Sequence, residues 1–251
     1  MNVVTQLYLI RHGEAVSNVQ PIVGGMRGDT GLTPRGVAQA ERLRDRLAST
    51  GEIAADVLIS STLPRARETA EIIAPALGLP IIWDDEVQEM RPGVADGMSL
   101  DDFREKFGIP STEREPFRPL APGGENWGQF MLRVATALDR IARQHRDKSV
   151  VIVCHGGVIE GSFVYFFGLT SLAGLPVRFN THNTSITHWK HDPPAPGDPS
   201  ARWRLMRYND DAHLRGMDIE APVAWRDLAA EAAPGAERPA VPLPAEEPKR
   251  E

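Results

Sequence analysis

Cysteine is nearly missing from this chain. Cys154 is the only one in 251 residues, so an internal disulfide framework is excluded and the composition fits a reducing compartment. A basic surplus is missing as well, since 28 Lys and Arg stand against 34 Asp and Glu for a formal net charge of -6. That balance argues against non-specific nucleic-acid binding and against an anionic membrane surface, so any anionic ligand must be gripped by a local basic pocket. Long apolar runs are also lacking. Thr5, Gln6 and Arg11 interrupt the first apolar stretch, no basic segment precedes it, and residues 158–169 are too few to span a bilayer and include Glu160. A soluble, cytoplasmic protein is expected.

Two further absences narrow the chemistry. His188 and His191 are close in sequence, but on a strand they face opposite sides, and no carboxylates or cysteines stand near them at metal-ligand spacing. Structural or surface roles are expected there and for His145 and His213. No glycine loop of the cysteine-phosphatase kind surrounds Cys154, which closes a Val/Ile strand and reads as a buried, inert thiol.

What the chain does contain is one short echo. The apolar run Leu7-Tyr8-Leu9-Ile10 leads into Arg11-His12-Gly13-Glu14, and Val150 to Cys154 leads into His155-Gly156-Gly157. Each reads as a buried strand that ends in a histidine and turns on glycine, the place where open α/β sheets present reactive groups. A single strand-end histidine is commonly a satisfied core or capping residue. Two of them, one flanked by a guanidinium and a carboxylate, suggest phosphate chemistry, because such groups are costly at a strand end unless they bind something.

Around these strands the pattern alternates. Thr33 caps and Pro34 opens a helix running to about Ser49; residues 56–60 form a strand; residues 63–77 form a helix ended by Gly78; and Ile81-Ile82-Trp83 form a third strand. Residues 84–127, rich in Pro, Gly and charge, read as a substrate-facing insertion with a helix at 99–107, and a long helix from Asn126 to about His145 feeds the strand at 150–154. Late strands at 185–190 and 203–208 suit an antiparallel edge hairpin across the Pro-rich turn 193–199. The expected fold is therefore α/β, a mostly parallel central sheet with helices on both faces and an antiparallel edge. Residues 1–219 are read as the catalytic domain and 220–251 as an Ala/Pro/Glu-rich tail, in which 224–233 has one apolar helical face that could dock.

The ordered blocks LYLIRHGEAVSN, GLTPRGVAQA, SSTLPRARETA, EVQEMRPGVADG, PGGEN, VIVCHGGVI and NTSIT resemble the histidine phosphatase superfamily, the branch that holds cofactor-dependent phosphoglycerate mutase and its phosphatase relatives. The resemblance spans residues from about 4 to 215 and implies a phosphoglycerate mutase-like fold. It implies that His12 is the nucleophile that becomes phosphohistidine, that Arg11, Arg65 and His155 form the phosphate pocket, and that Glu89 is the acid. Asn18 resembles the asparagine that helps hold phosphate, Asn183 borders the pocket, Glu14 supports it from behind, and Ser17 and His182 are weaker candidates. The chemistry agrees: a neutral imidazole offers a lone pair near pH 7, planar guanidinium forks suit phosphoryl oxygens, and a leaving alkoxide needs a proton. Glu86 competes with Glu89 but lies in a solvated acidic run, and Arg67 beside Arg65 reads as a surface residue.

The leading expectation is a metal-independent phosphatase acting on a small phosphorylated metabolite, with no cofactor. Cofactor-dependent mutases of the family carry a longer insertion between the acid and the second histidine, with an adjacent arginine pair; here that region holds Glu113-Arg114-Glu115 and an isolated Arg118. A non-catalytic phosphate-binding module is the third reading, since fold alone does not imply activity. Candidate substrate selectors are Arg27, Arg91 and Arg118. The expected partner is the small substrate, without nucleic acid or membrane, and a homodimer stays open.

Overall fold

A computed structural model of the protein describes residues 4–169, 174, 177, 179–192 and 202–217. The tail at 220–251, the docking helix expected at 224–233 and the turn at 193–199 lie outside the described residues.

Six strands form one sheet: β1 (Gln6–Arg11), β2 (Val57–Ser60), β3 (Ile81–Trp83), β4 (Ser149–Cys154), β5 (Ile186–Asp192) and β6 (Arg202–Asp210), in the spatial order β3-β2-β4-β1-β5-β6. The pairs β1–β4, β2–β4 and β2–β3 are parallel, whereas β1–β5 and β5–β6 are antiparallel. The antiparallel part is thus two strands wide, and β5 is interior. The strand order reverses about β4 and β1, and the carboxyl ends of neighbouring parallel strands meet there, as in other open α/β sheets with a ligand crevice.

The helices are α1 (Val16–Val19), α2 (Pro34–Thr50), α3 (Pro64–Leu77), α4 (Leu100–Phe107), α5 (Trp127–Gln144) and α6 (Gly156–Phe166). Alternate residues of β1 and β4 feed two cores. Leu7, Leu9, Val150, Ile152 and Cys154 pack with α5 and α6 on one face, while Tyr8, Ile10, Val151 and Val153 pack with α2 and α3 on the other. Burial on both faces explains why these strands read as continuous apolar runs.

Local chemistry sets the helix ends. The Thr33 hydroxyl accepts from the Gly36 N–H with Pro34 at the first helical position of α2, and Ser99 and Asn126 cap α4 and α5 in the same way. Gly78 ends α3 in the left-handed region at φ 65°. Helix α6 is the element the sequence pattern does not announce. Its residues are apolar nearly all round and buried by α5 and the sheet, so no amphipathic period marks it.

Among the described residues no helix is long and apolar enough to cross a membrane.

Candidate active site

Strand β1 delivers His12, β2 delivers Ser61 and β4 delivers His155, each one residue past its strand. The backbone ladder carries on into these residues, with His12 N–H donating to the Cys154 carbonyl at 3.0 Å and Ser61 N–H to the Val153 carbonyl at 2.9 Å. The His12 and His155 rings therefore stand 5.1 Å apart between centroids.

Hydrogen bonds fix the state of His12. Its Nδ1 lies 2.7 Å from the Gly13 carbonyl oxygen, which can only accept, so Nδ1 carries the proton. Its Nε2 lies 3.1 Å from Arg65 Nε, an N–H that can only donate, so Nε2 carries the lone pair. Desolvation, then the Arg65 and Arg11 charges, hold the His12 pKa well below 6.5. The imidazole is neutral at neutral pH with its unprotonated nitrogen turned toward a guanidinium.

The turn behind His12 is clamped to α2 and α3. Gly13 N–H donates to Thr69 Oγ1 at 3.0 Å, Glu14 N–H donates to Gln39 Oε1 at 2.8 Å, and the buried Glu14 carboxylate accepts from Thr33 Oγ1 at 2.7 Å and pairs with Arg35 at 3.3 Å. Backbone meets backbone here: a Cβ on Gly13 would stand 2.5 Å from the Gly36 oxygen, and one on Gly36 would stand 2.0 Å from the Glu14 oxygen. The glycines of RHGE and TPRG are both required by this approach.

Arg65 is the second residue of α3. Its NH1 donates to Asp29 Oδ2 at 2.8 Å and to the Gly24 carbonyl at 3.2 Å, and its backbone N–H reaches the same Asp29 oxygen at 3.2 Å. Asp29 thereby serves both the side chain and an otherwise unpaired first-turn N–H of α3. Both side chains are almost fully buried, 5% and 0% exposed, so the ion pair is insulated from solvent screening.

Arg11 donates through NH1 to the Thr181 carbonyl, and its buried Nε has no hydrogen-bond partner among the described residues. Burial pulls the Arg11 pKa down to about 10, Glu89 acting in the opposite direction and Arg65 in the same one. His155 Nε2 meets Ser61 Oγ at 2.8 Å, while its buried Nδ1 has no partner among the described residues. Desolvation first, then Arg65, His12, Arg11 and Arg133, keeps His155 neutral as well. Two guanidiniums and two neutral imidazoles converge, with donors and lone pairs left over, and an anion would satisfy them.

Glu89 reaches the pocket from the insertion. Its Oε2 accepts from Gly157 N–H at 3.0 Å, in the first turn of α6, and its Oε1 accepts from Met90 N–H at 3.0 Å. Glu86 pairs with Arg91 on the surface at 3.1 Å, away from these groups.

Asn18 Oδ1 accepts from Ala15 N–H at 3.0 Å in the cap of α1, which leaves its amide NH₂ as the end to offer an anion. Asn183 Nδ2 donates to the His12 carbonyl at 2.9 Å, and its Oδ1 is buried without a partner. Asn183 thus holds the backbone of His12. Ser17 flanks Gly24, whose Cβ position lies 3.6 Å from Arg65 NH1. His182 is paired with Asp211 at 2.7 Å.

Cys154 is fully buried, and desolvation pushes its pKa strongly upward, as expected of an inert thiol. His188 stacks on Tyr8 and His191 meets Trp203 edge to face, on opposite faces of the sheet. Among the described residues no group of three or more His, Cys, Asp or Glu side chains is placed to hold a metal ion. Of the arginines read as selectors, Arg118 is held by Glu115 and the Phe107 carbonyl, and Arg91 by Gln88, Glu86 and the Asp85 carbonyl. Arg27 projects most, with its side chain 69% exposed beside Asp96.

Sequence reasoning missed Asp29, Ser61, Thr69 and the pair Arg133–Glu125 that braces the Glu89 segment. Ser61 sits in a matched block and Arg133 interrupts the apolar face of α5, so both left a mark; Asp29 left none.

Comparison with known proteins finds relatives over most of the chain. A protein of Erwinia tasmaniensis described as "Probable phosphoglycerate mutase GpmB" is 31% identical over 86% of this chain and 97% of its own. The solved structure of Bacillus stearothermophilus YhfR is 30% identical, covers 84% of this chain and 100% of its own, and superposes with a TM-score of 0.68. A mycobacterial glucosyl-3-phosphoglycerate phosphatase is 25% identical over 82% of this chain and 98% of its own, with a TM-score of 0.66. The sequence pattern of one family matches residues 7–210: the chain belongs to the histidine phosphatase superfamily, branch 1.

Proposed function

We propose that the protein is a metal-independent phosphatase that hydrolyses a small phosphorylated metabolite through a phosphohistidine. The observation that carries this reading is the state of His12, protonated at Nδ1 and with a lone pair at Nε2 among Arg65, Arg11 and His155. In the first step Nε2 bonds to phosphorus as the P–O ester bond breaks, and the departing oxygen takes the proton of the Glu89 carboxyl. In the second, water bonds to phosphorus, gives its proton to the Glu89 carboxylate, and the P–N bond breaks to release inorganic phosphate. Each half is an in-line displacement that the fixed cations assist by matching the charge of the transferring group. Arg11, Arg65, His155 and Asn18 bind the phosphoryl oxygens, and Asn183 keeps His12 in place.

The rival is a phosphoglycerate mutase, favoured by the description of the Erwinia relative. Against it stands the region between Glu89 and His155, where Arg91 and Arg118 are tied to the protein's own acceptors rather than paired as a substrate grip. Rapid quench of the enzyme with p-nitrophenyl phosphate, followed by mass spectrometry, tests the reading. An acid-labile, alkali-stable phosphate on His12 is expected; full activity in His12→Ala would overturn it.

A further inference from the structure

Arg133 lies on α5, outside the pocket, yet every N–H of its guanidinium is spent around the Glu89 segment. NH1 donates to the carbonyls of Glu86 at 2.8 Å and Gln88 at 2.9 Å, NH2 donates to the carbonyl of Glu89 itself at 3.2 Å, and Nε and NH2 grip the two oxygens of Glu125 at 2.7 Å each. Glu125 in turn accepts from Arg91 N–H at 2.8 Å. Two carbonyls on the amino side of the acid, those of Glu86 and Gln88, and two backbone groups on its carboxyl side, the Glu89 carbonyl and the Arg91 N–H, are therefore tied to one buried ion pair.

The same side chain also lies beside Phe130, which packs against the other holder of Glu89. Its guanidinium lies 5.1 Å from the centre of the Phe130 ring, and Phe130 Cε1 stands 2.8 Å from where a Cβ on Gly157 would be. Gly157 supplies the N–H that grips the Glu89 carboxylate. Arg133 thus holds the backbone of the acid directly, and Phe130 lies between it and the glycine that holds the carboxylate.

We propose that Arg133, with Glu125 as its counter-charge, is a positioning residue that holds Glu89 where it can protonate the leaving oxygen. This rests on Glu89 being the acid of the proposed reaction. A bound geometry off by about 1 Å can cost on the order of 10²-fold in such a step. The planar fork is what the task needs: a lysine is a point charge with three donors and cannot span three carbonyls and a bidentate carboxylate. A structural reading makes a different forecast, because a loop brace with no catalytic consequence would lower stability and affect all substrates alike.

The test compares p-nitrophenyl phosphate, whose phenolate leaves without a proton, with an alkyl phosphate, whose alkoxide does not. Glu89→Gln is the reference, and general acid help worth about 10²–10⁴-fold should vanish for the alkyl ester and change little for the aryl one. Arg133→Lys and the milder Glu125→Gln should follow the same split, losing at least about 10-fold more kcat on the alkyl ester than on the aryl ester, with phospho-His12 still formed from the aryl ester. Equal losses on both esters in Glu125→Gln, with the split intact in Glu89→Gln, would overturn the positioning role alone. No split in Glu89→Gln would remove the proposed acid itself, and the reading of the site with it. Should Arg133→Lys fail to fold, Glu125→Gln decides, since it keeps one carbonyl acceptor and the shape of the side chain.

Discussion

Arg65 Nε donates to His12 Nε2 at 3.1 Å, so the guanidinium sits on the lone pair that attacks phosphorus in the proposed reaction. When a phosphoryl group arrives, that N–H has to pass from the imidazole to a phosphoryl oxygen, and Asp29 keeps the rest of the side chain still while it does so. Arg65→Lys should therefore lower kcat/KM by about 10²–10³-fold, as when one oxyanion donor is removed. Asp29→Ala should cost about 3–5 kcal/mol in urea unfolding, the usual price of stranding a buried charge. Wild-type stability in Asp29→Ala would show that Arg65 does not depend on it.

The two glycines after His155 make opposite forecasts. A Cβ at Gly157 would lie 2.3 Å from Glu89 Oε1, whereas one at Gly156 meets only Arg11 Nε, at 3.9 Å. Gly157→Ala should push the Glu89 carboxylate off its N–H and lower kcat on alkyl phosphates by roughly 10–100-fold. Gly156→Ala should stay within about threefold of wild type, since van der Waals contact at that range is ordinary. Similar kinetics for the two variants would count against the Glu89–Gly157 contact.

Much of this site was legible because its parts lie where chain and strand geometry coincide. His12 and His155 follow buried strands directly, and Arg65 opens a helix after another strand, so parallel pairing alone brings them together. The cap at Thr33 was readable from a single residue and the proline after it. Asp29 was not, because its partner lies 36 positions on and a loop sequence records no such pairing. Helix α6 escaped for a related reason: burial on every side erases the period by which a helix is recognised.

Four histidines should make the fold acid-sensitive. His188 and His213 are held down to about 4, burial being the largest cause for both, and His12 and His155 are also held well below 6.5. An unfolded chain takes up protons on all four near pH 6.5 and the folded one does not, so stability is complete above that pH and falls as pH drops below it. For His188 the gap is worth about 3 kcal/mol at most, fully felt only below pH 4. The urea midpoint should decline steadily from pH 6.5 to 4, and His188→Phe, which preserves the stack on Tyr8, should flatten part of that decline. A midpoint constant over this range would contradict the buried neutral state.

Chelation should leave activity intact. In the proposed reaction Arg11, Arg65 and the two histidines supply the charge stabilisation and orientation that a divalent cation provides in metallophosphatases. Turnover of p-nitrophenyl phosphate after EDTA treatment should match the untreated enzyme. Loss on chelation with recovery on a defined metal would exclude the mechanism proposed above.

Phosphatase and mutase diverge only after phospho-His12 has formed. A mutase must keep the second alcohol in place and water out until transfer is complete, which requires cover and a grip on the carboxylate of the glycerate. In this chain Arg91 and Arg118 of the insertion are committed to Glu86, Glu115 and backbone carbonyls, so a glycerate would have to pull them from their partners to be retained. Water faces no such barrier. With 3-phosphoglycerate as substrate and 2,3-bisphosphoglycerate as primer, release of inorganic phosphate should exceed formation of 2-phosphoglycerate, or neither should be appreciable if glycerates are poor substrates. Phosphorus NMR follows both products in one sample. Rapid, primer-dependent interconversion of the two monophosphates with little free phosphate would overturn the phosphatase reading and establish the mutase.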